Sequence, residues 1–224
     1  CGNVGSNLIL AKKLLIRAVE SGANLIVLPE CFALYPKNKE DLFLISEELG
    51  AGRIQNFLSE FSKTNGVWIV GGTIPIKTHL PDKVYASCIV WNDKGEPVGF
   101  YHKMHLFDID MPVSGLSHQE SASYLSGNDP VCIDSPFGKL GITVCYDLRF
   151  PELYRNLREQ GADILINVAA FLQATGRVHW RPLLKARAIE NQCYVIASNQ
   201  VGEHDNSRLT HGESMIIDPW GKVL

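Results

Sequence analysis

Residues 140–152 read LGITVCYDLRFPE, an apolar run followed by a short polar turn and a proline. The run from Leu140 to Cys145 predicts a strand buried on both faces, because its apolar residues do not alternate with charged ones. Pro151 suits the first position of a helix from about 151 to 160, which Gly161 then ends. A strand, a turn and a helix in this order are typical of an α/β fold.

Helix and strand patterns alternate along the rest of the chain. A first helix, capped by Ser6 or Asn7 and ended by Gly22, leads into a buried strand from Leu25 to Leu28. Residues 104–130 show no periodicity, and a segment of that length without structure is usually functional or mobile. Further strands are predicted at 67–76, 84–91, 98–103, 164–168, 194–198, 214–217 and from 223, and further helices at 51–64 and at 179–192, the last with Leu183, Leu184, Ala188 and Ile189 facing inward.

The chain also resembles itself. Residues 22–28 (GANLIVL) and 161–167 (GADILIN) are each a helix end, a polar turn and a buried strand, separated by a constant offset of 139 positions. The shared register makes Ala169 the counterpart of Glu30 and predicts two related halves. Because open α/β sheets bind ligands at the carboxyl ends of their strands, a ligand site is expected where these strands end.

The composition excludes several classes of protein. Hydrophobic residues make up 46% of the 224 positions and charged residues 20%, the balance of a globular protein rather than a disordered or fibrous one. A net charge of −3, without a basic cluster longer than Lys12-Lys13, argues against nucleic acid as a partner. No apolar run reaches the roughly 18 residues of a membrane-spanning helix, so no membrane partner is expected.

The cysteines and the chain ends bear on compartment and domain organisation. The six cysteines include no CxxC pair, are too sparse for a disulfide scaffold, and fit the reducing cytoplasm. Length and the internal repeat predict a single domain over residues 1–224. The chain begins almost at a helix pattern and stops where a strand begins, so both ends look cut. Core packing is the expected role of four of the cysteines, Cys31, Cys88, Cys132 and Cys193.

Three polar residues with complementary chemistry end separate apolar strands. Cys145 precedes a helix, where the positive end of the helix dipole lowers a thiol pKa, although a plain core cysteine is the alternative. Glu30 could accept the thiol proton and Lys103 could stabilise an oxyanion. A solvated glutamate and a surface lysine are the ordinary roles of such residues. Three such groups at three strand ends nevertheless fit one reaction centre better than three coincidences.

These residues lie within three longer patterns: LPECF at 28–32, HKMHLFD at 102–108 and GITVCYDLRFPE at 141–152. The three segments resemble the signature segments of the nitrilase superfamily of carbon–nitrogen hydrolases. Within that superfamily, His179-Trp180 and the stretch LKARAIENQCYV at 184–195 are similar to the Nit-type amidases, a branch that includes omega-amidases and deaminated-glutathione amidases. The resemblance covers nearly the whole chain.

The resemblance implies a fold and an assembly. It implies an α/β fold of the four-layer αββα sandwich type that dimerises through its helices, so a homodimer or higher homo-oligomer is expected. It also implies that a first strand, normally preceding Asn7, and a C-terminal tail are missing from the chain. By the same likeness Glu30 is the general base, Cys145 the nucleophile and Lys103 the residue that steadies the oxyanion.

A reaction follows from the same resemblance. Cys145 attacks the carbonyl of a small-molecule amide, ammonia leaves, and water hydrolyses the resulting thioester, with no cofactor and no metal. The backbone N–H of Tyr146 joins Lys103 in holding the oxyanion. Glu120 matches the family's second glutamate, which positions the lysine or the substrate.

Substrate choice is assigned to residues near the nucleophile. Arg149 can pair bidentately with a substrate carboxylate, with an ion pair to Glu152 as the equally weighted alternative. Phe171 and Thr175 are candidate pocket walls. Arg177 stands where Nit-type relatives often have an uncharged residue, and a second basic group there favours a substrate with a second carboxylate, such as deaminated glutathione.

Alternative functions stay open from the sequence. A nitrile or a carbamoyl compound could be the substrate within the same superfamily. A Cys-His thiol hydrolase would use His102 or His105 as its base. A catalytically silent binding protein is a further alternative, against which the intact Glu30, Lys103 and Cys145 argue. The seven histidines lack metal-ligand spacing, and neither a phosphate-binding glycine pattern nor a GxSxG elbow occurs.

Overall fold

The structure is a computed structural model that describes residues 2–111, 116–204 and 207–224. Cys1 lies outside the described residues. The helices are α1 (Val4–Glu20), α2 (Lys39–Leu44), α3 (Arg53–Asn65), α4 (Pro151–Glu159) and α5 (Gln173–Asn191). The strands are β1 (Leu25–Leu28), β2 (Trp68–Gly71), β3 (Ile74–Lys77), β4 (Val84–Trp91), β5 (Pro97–His102), β6 (Asp108–Met111), β7 (Leu116–Gln119), β8 (Val131–Ile133), β9 (Leu140–Val144), β10 (Ile164–Ala169), β11 (Tyr194–Asn199), β12 (Val201–Glu203), β13 (Leu209–His211) and β14 (Met215–Ile217).

The first sheet contains β1 to β5. β1 runs parallel to β2, whereas β4 pairs antiparallel with β2, β3 and β5. β2 and β3 follow one edge of β4 in succession, and β5 pairs along the other edge. The predicted strand at 67–76 is therefore two strands, because Gly72 adopts a φ of 60°, outside the extended region.

The second sheet has the strand order β14-β11-β10-β9-β8. β10 lies at its centre and runs parallel to both β9 and β11, and the two outer strands are antiparallel. Leu140, Ile142 and Val144 of β9 are fully buried. Their burial explains the continuous apolar run, since parallel strands with both faces covered carry no polar face.

Three apolar clusters define four layers. One cluster joins α1 and α3 to the first sheet through residues such as Leu15, Leu58 and Ile69. A second joins α4 and α5 to the other sheet. The third lies between the sheets, where Val70 of β2 and Val168 of β10 belong to the same cluster. The order helix, sheet, sheet, helix is the predicted αββα sandwich, assembled by burial of apolar surface.

Several boundaries differ from the sequence predictions. α1 begins at Val4, because Asn3 rather than Ser6 or Asn7 is its cap, with the Asn3 side chain accepting from Ser6 N–H. Residues 104–130 are not without structure, since β6 and β7 form a hairpin there. The loop that would join these strands, residues 112–115, lies outside the described residues.

Helix α5 was also predicted incompletely. It begins at Gln173, before the predicted start at residue 179. Ile189 is 53% exposed, so its predicted inward orientation is wrong, while Leu184 and Ala188 do face the core. β1 is covered on both faces as expected, since Ile26 packs with Leu28 in the cluster under α1 and α3 and Val27 packs against the cluster between the sheets, although only Leu28 is buried and the other three residues are half-buried. No helix in the described ranges combines the length and apolar character needed to cross a membrane.

Candidate active site

Cys145 stands where β9 ends. Its φ of 45° is unusual for a residue with a side chain, and it opens a 3-10 helix over Cys145–Arg149. The buried carboxylate of Asp147 holds this turn, since its Oδ2 accepts the Val144 N–H at 2.8 Å. Positive-φ residues in tight turns cluster at functional sites. The predicted strand, turn and helix at 140–160 are confirmed, with α4 beginning at Pro151.

Glu30 follows β1 at the same end of the molecule. It is only 6% exposed, and its Oε2 accepts the Ala170 N–H at 2.8 Å. Ala170 comes directly after β10, so the ends of the two repeat units meet here. Gln200 Nε2 also donates to the Glu30 carbonyl at 3.2 Å. These contacts fix the backbone and the carboxylate of Glu30.

Lys103 joins two buried carboxylates. Its side chain is 2% exposed, and Nζ lies 3.1 Å from Glu30 Oε1 and 2.9 Å from Glu120 Oε1. Glu120 Oε2 accepts the Phe107 N–H at 2.5 Å. Burial alone lowers the pKa of Lys103, but Glu120 and Glu30 raise that pKa well above its usual value. Lys103 is therefore charged across the physiological range.

The Glu120 carboxyl behaves differently from an exposed glutamate. Burial raises its pKa, the negative charge of Glu30 adds to the rise, and Lys103 opposes both. Together, two carboxylates and one ammonium group in the same enclosed space carry a net negative charge. We refer to Glu30, Lys103 and Glu120 as the ionic cluster.

The Cys145 thiol faces this ionic cluster. Burial raises its pKa well above the usual value, and Glu30 raises it further through its charge and a hydrogen bond to the thiol. Lys103 and the Ala170 N–H act in the opposite direction. The predicted lowering of this pKa by a helix dipole is wrong, because α4 begins only at Pro151 and the thiol is enclosed beside a carboxylate. The resting form is a thiol hydrogen-bonded to Glu30.

A cavity of about 290 Å³ opens beside Cys145. Among the predicted substrate-binding residues, Arg149, Phe171 and Thr175 line it, as does Tyr146. Arg177 does not line it. That residue lies on the exposed side of α5, where its Nη2 donates to Gln173 Oε1 at 3.2 Å.

Arg149 lies among aromatic rings at the cavity wall. Its guanidinium carbon is 5.2 Å from the centroid of Phe171 and 5.7 Å from that of Tyr146. Its Nη1 is 3.3 Å from His179 Nδ1. Arg149 therefore contacts His179 and not Glu152, and it lies at the cavity wall.

Neither histidine considered as a base lies in the cavity lining. His102 Nδ1 is 2.7 Å from Ser87 Oγ, and its ring stacks on Tyr85 with centroids 4.0 Å apart. His105 Nδ1 is 2.7 Å from Asp147 Oδ1. The site thus holds a thiol next to a carboxylate, and the histidines have other partners.

Sequence reasoning missed several residues of the site. Cys31 was expected in the core, but it is only half-buried and lines the cavity, with a φ of 56°. The sequence assigned no role to Asp147 beyond its place in the third signature segment. Its carboxylate nevertheless accepts hydrogen bonds from the Val144 N–H, next to Cys145, and from the His105 N–H. Its position two residues from the nucleophile was the available signal. Tyr35 and Arg208 also line the cavity, and they lie outside the three signature segments.

The site has the composition of a thiol hydrolase. It combines a half-buried thiol, a buried carboxylate hydrogen-bonded to it and a charged lysine within an αββα sandwich. In the part of the chain that the structure describes, no group of His, Cys, Asp or Glu side chains is arranged to hold a metal ion.

Comparison with known proteins gives the family. The sequence profile of the carbon–nitrogen hydrolases matches residues 2–224. A deaminated glutathione amidase of Dictyostelium discoideum is 44% identical over 229 residues, which cover 99% of this chain and 78% of that protein. The chain belongs to the carbon–nitrogen hydrolase family, in the Nit-type branch of the nitrilase superfamily, and is an amidase.

Solved structures agree with this assignment. Saccharomyces cerevisiae Nit3, a member of branch 10 of the nitrilase superfamily, has a TM-score of 0.87 and 31% identity, covering 99% of this chain and 79% of Nit3. The C. elegans NitFhit protein has a TM-score of 0.88 and 33% identity over 99% of this chain. This chain spans about half of NitFhit, 54% of its length.

Proposed function

We propose that the protein hydrolyses a small amide that carries a carboxylate, either deaminated glutathione or the omega-amide of a 2-oxo acid. The observation that carries the proposal is the position of the Cys145 thiol, which is hydrogen-bonded to Glu30 and lies beside the Lys103 ammonium group. Arg149 at the cavity wall supports a carboxylate-bearing substrate, since a guanidinium fork matches a carboxylate. The relatives named deaminated glutathione amidase support the choice of substrate.

In the first half-reaction Glu30 takes the thiol proton as the sulfur attacks the amide carbonyl. The tetrahedral oxyanion is held by Lys103 and by the backbone N–H of Tyr146. Collapse of this intermediate breaks the C–N bond, and Glu30 returns the proton to the leaving nitrogen. The products are a thioester on Cys145 and a free amine, or ammonia when the substrate is a primary amide.

In the second half-reaction water hydrolyses the thioester. Glu30 takes a proton from the water as its oxygen attacks the thioester carbonyl, and the same oxyanion contacts are used again. Collapse breaks the C–S bond and releases the carboxylic acid, while Glu30 passes its proton to the Cys145 sulfur and so restores the thiol. Glu120 keeps the Lys103 ammonium group in position throughout. Removing a single oxyanion donor typically lowers kcat by about 10²–10³-fold, so Lys103 is indispensable in this scheme.

The test is amide hydrolysis by Cys145→Ala. We expect this variant to fold and to lose turnover, because alanine supplies no nucleophile. Activity is measured as release of amine from deaminated glutathione and of ammonia from a primary omega-amide. Cys193→Ala is the matched control, since it removes a buried thiol from the core beneath α5 and leaves the cavity unchanged. Hydrolysis by Cys145→Ala at the wild-type rate would contradict the mechanism.

We further propose that residues 1–224 act as one domain and form a homodimer in the cytoplasm. Exposed apolar side chains around α5 and the end of the chain support an interface, among them Ile189 (53% exposed) and Trp220 (90% exposed). Isolated apolar residues are ordinary at a surface, but a group of them is typical of protein–protein contact.

A further inference from the structure

The cavity beside Cys145 is basic, although the chain as a whole is acidic. The net charge of the chain is −3, and among the described residues that line the cavity the acidic ones are Glu30 and Glu120, which already surround Lys103. A concave site of one charge concentrates ligands of the opposite charge. The basic residues of the lining are Lys37, Lys39, Lys103, Arg149 and Arg208.

Two of these basic residues lie at the two ends of a row of rings. In the middle of the row, the Phe107 centroid lies 5.0 Å from that of Tyr146 and 5.5 Å from that of His118. Arg149 is next to Tyr146, as described above. At the other end, Arg208 Nη2 donates to His118 Nδ1 at 2.8 Å. One wall of the cavity therefore carries a guanidinium at each end.

Two uncharged side chains, Tyr35 and His118, contact Arg208. Its Nη1 donates to the Tyr35 hydroxyl at 2.9 Å, and its guanidinium carbon lies 5.9 Å from the centre of that ring. Burial and the charge of Arg208 lower the pKa of His118 to about 4, so its imidazole is neutral at pH 7 and accepts the hydrogen bond. Tyr35 in turn stacks on His204. These contacts limit the orientations that the guanidinium can adopt.

We propose that Arg208 binds a second carboxylate, so that the substrate is an amide with one carboxylate on its acyl part and another on its amine part. The proposal rests on the proposed function, in which Arg149 binds the first carboxylate. Arg149 belongs to the same turn as Cys145 and so faces the acyl part, which becomes attached to the sulfur. Arg208 lies at the far end of the row of rings and faces the amine part of the substrate, which leaves.

This assignment replaces the one expected for Arg177. A second basic group was predicted to select a second carboxylate, and that group is Arg208, because Arg177 is exposed outside the cavity. Deaminated glutathione has the required form, since its 2-oxo acid part and its glycine end each carry a carboxylate. A primary omega-amide of a 2-oxo acid lacks the second carboxylate.

The experiment compares two amides that share one acyl part. The first has a free carboxylate at the end of its amine part, and in the second that carboxylate is a neutral carboxamide. We expect the wild-type enzyme to prefer the first by about tenfold or more in kcat/KM, mainly through KM, since a charged hydrogen bond stabilises binding to that extent. Arg208→Gln brings the ratio close to one, whereas Arg208→Lys retains part of the preference.

Arg177→Gln is the matched control, because it removes an exposed guanidinium from α5 and is expected to leave the ratio as in the wild type. A full preference surviving in Arg208→Gln would overturn the second carboxylate site. Wild-type cleavage of both amides at equal efficiency would overturn it as well, while the proposed function stands. If the wild type cleaves neither these amides nor a primary omega-amide, the proposed function itself fails.

Discussion

A half-buried thiol next to a buried carboxylate keeps its proton until a substrate arrives. In the proposed mechanism Cys145 is therefore not a preformed thiolate, unlike cysteines activated by a helix dipole or an imidazolium ion. Glu30 lies within hydrogen-bonding contact of the thiol and can remove the proton as the sulfur attacks. The same geometry keeps Cys145 protonated, and so less open to unwanted alkylation, when the cavity contains no substrate.

The charges around Cys145 predict how its titration shifts. Glu30 raises the pKa of the thiol and Lys103 lowers it, so Glu30→Gln moves the titration to lower pH and Lys103→Met moves it to higher pH. The measurement is the ultraviolet absorbance of the thiolate as a function of pH. Subtraction of the Cys145→Ala curve removes the other cysteines. Equal titration curves in the wild type and Glu30→Gln would show that the carboxylate and the thiol do not interact.

Sequence reasoning found the reacting residues but not their electrostatics. Glu30, Lys103 and Cys145 each end an apolar strand, a pattern that can be read along the chain. The direction of the thiol pKa shift could not be read from the sequence, because it depends on the Glu30 carboxylate, 115 positions away. Arg208 was missed for a related reason, since its neighbour His118 comes from the hairpin that was predicted to have no structure.

The turn after β1 and the turn after β9 each contain a cysteine with a positive φ. Cys31, after Glu30, has a φ of 56°, and Cys145 has a φ of 45°. Packing must hold such conformations, which cost of order 1–3 kcal/mol each. At β1 the support comes from the bend between β2 and β3. Gly72 lies so close that an added Cβ would be 2.1 Å from the Pro29 carbonyl oxygen, and Thr73 Oγ1 accepts the Cys31 N–H.

This contact predicts the effect of Gly72→Ala. The new methyl group displaces the Pro29-Glu30 turn, so we expect loss of turnover together with a lower free energy of unfolding. Gly22→Ala is the control, because Gly22 also has a positive φ, 86°, but an added Cβ there meets nothing within 4 Å. The control loses about 1–2 kcal/mol through backbone strain alone.

Overpacking at Gly72 costs a further ~1–3 kcal/mol. Denaturant unfolding and the kcat of the folded enzyme separate the two effects. If Gly72→Ala keeps the kcat of Gly22→Ala, the bend does not position Glu30.

Periodic elements were predicted better than bends and polar hairpins. The strand over Leu25–Leu28 and the strand over Val84–Trp91 have the bounds that the sequence predicted. The break at Gly72 was missed because the apolar residues before and after Gly71-Gly72-Thr73 were taken as one continuous run, although the paired glycines were an available signal. The β6–β7 hairpin was missed because its alternation of polar and apolar residues is short. Its contribution to the site, through Glu120 directly after β7, is a tertiary effect.

The whole molecule brings the site together from both sheets. Glu30 and Lys103 follow strands of the first sheet, whereas Cys145 and Ala170 follow strands of the second. The clustered side chains thus meet only when the sheets pack face to face. The hydrogen bond from Ala170 N–H to Glu30 spans 140 positions of sequence. The packing of the two sheets therefore supplies both the enclosed environment and the alignment of Glu30, Lys103 and Cys145.

The location of the acyl group during turnover tests the proposed role of Cys145. The wild-type enzyme is mixed with deaminated glutathione, quenched in acid, digested, and examined by mass spectrometry. We predict that the 2-oxo acyl group is attached as a thioester to Cys145. Cys31 is an internal control, because it is a second thiol that lines the same cavity. An acyl group on Cys31 or on any other residue, with Cys145 unmodified, would show that Cys145 is not the nucleophile.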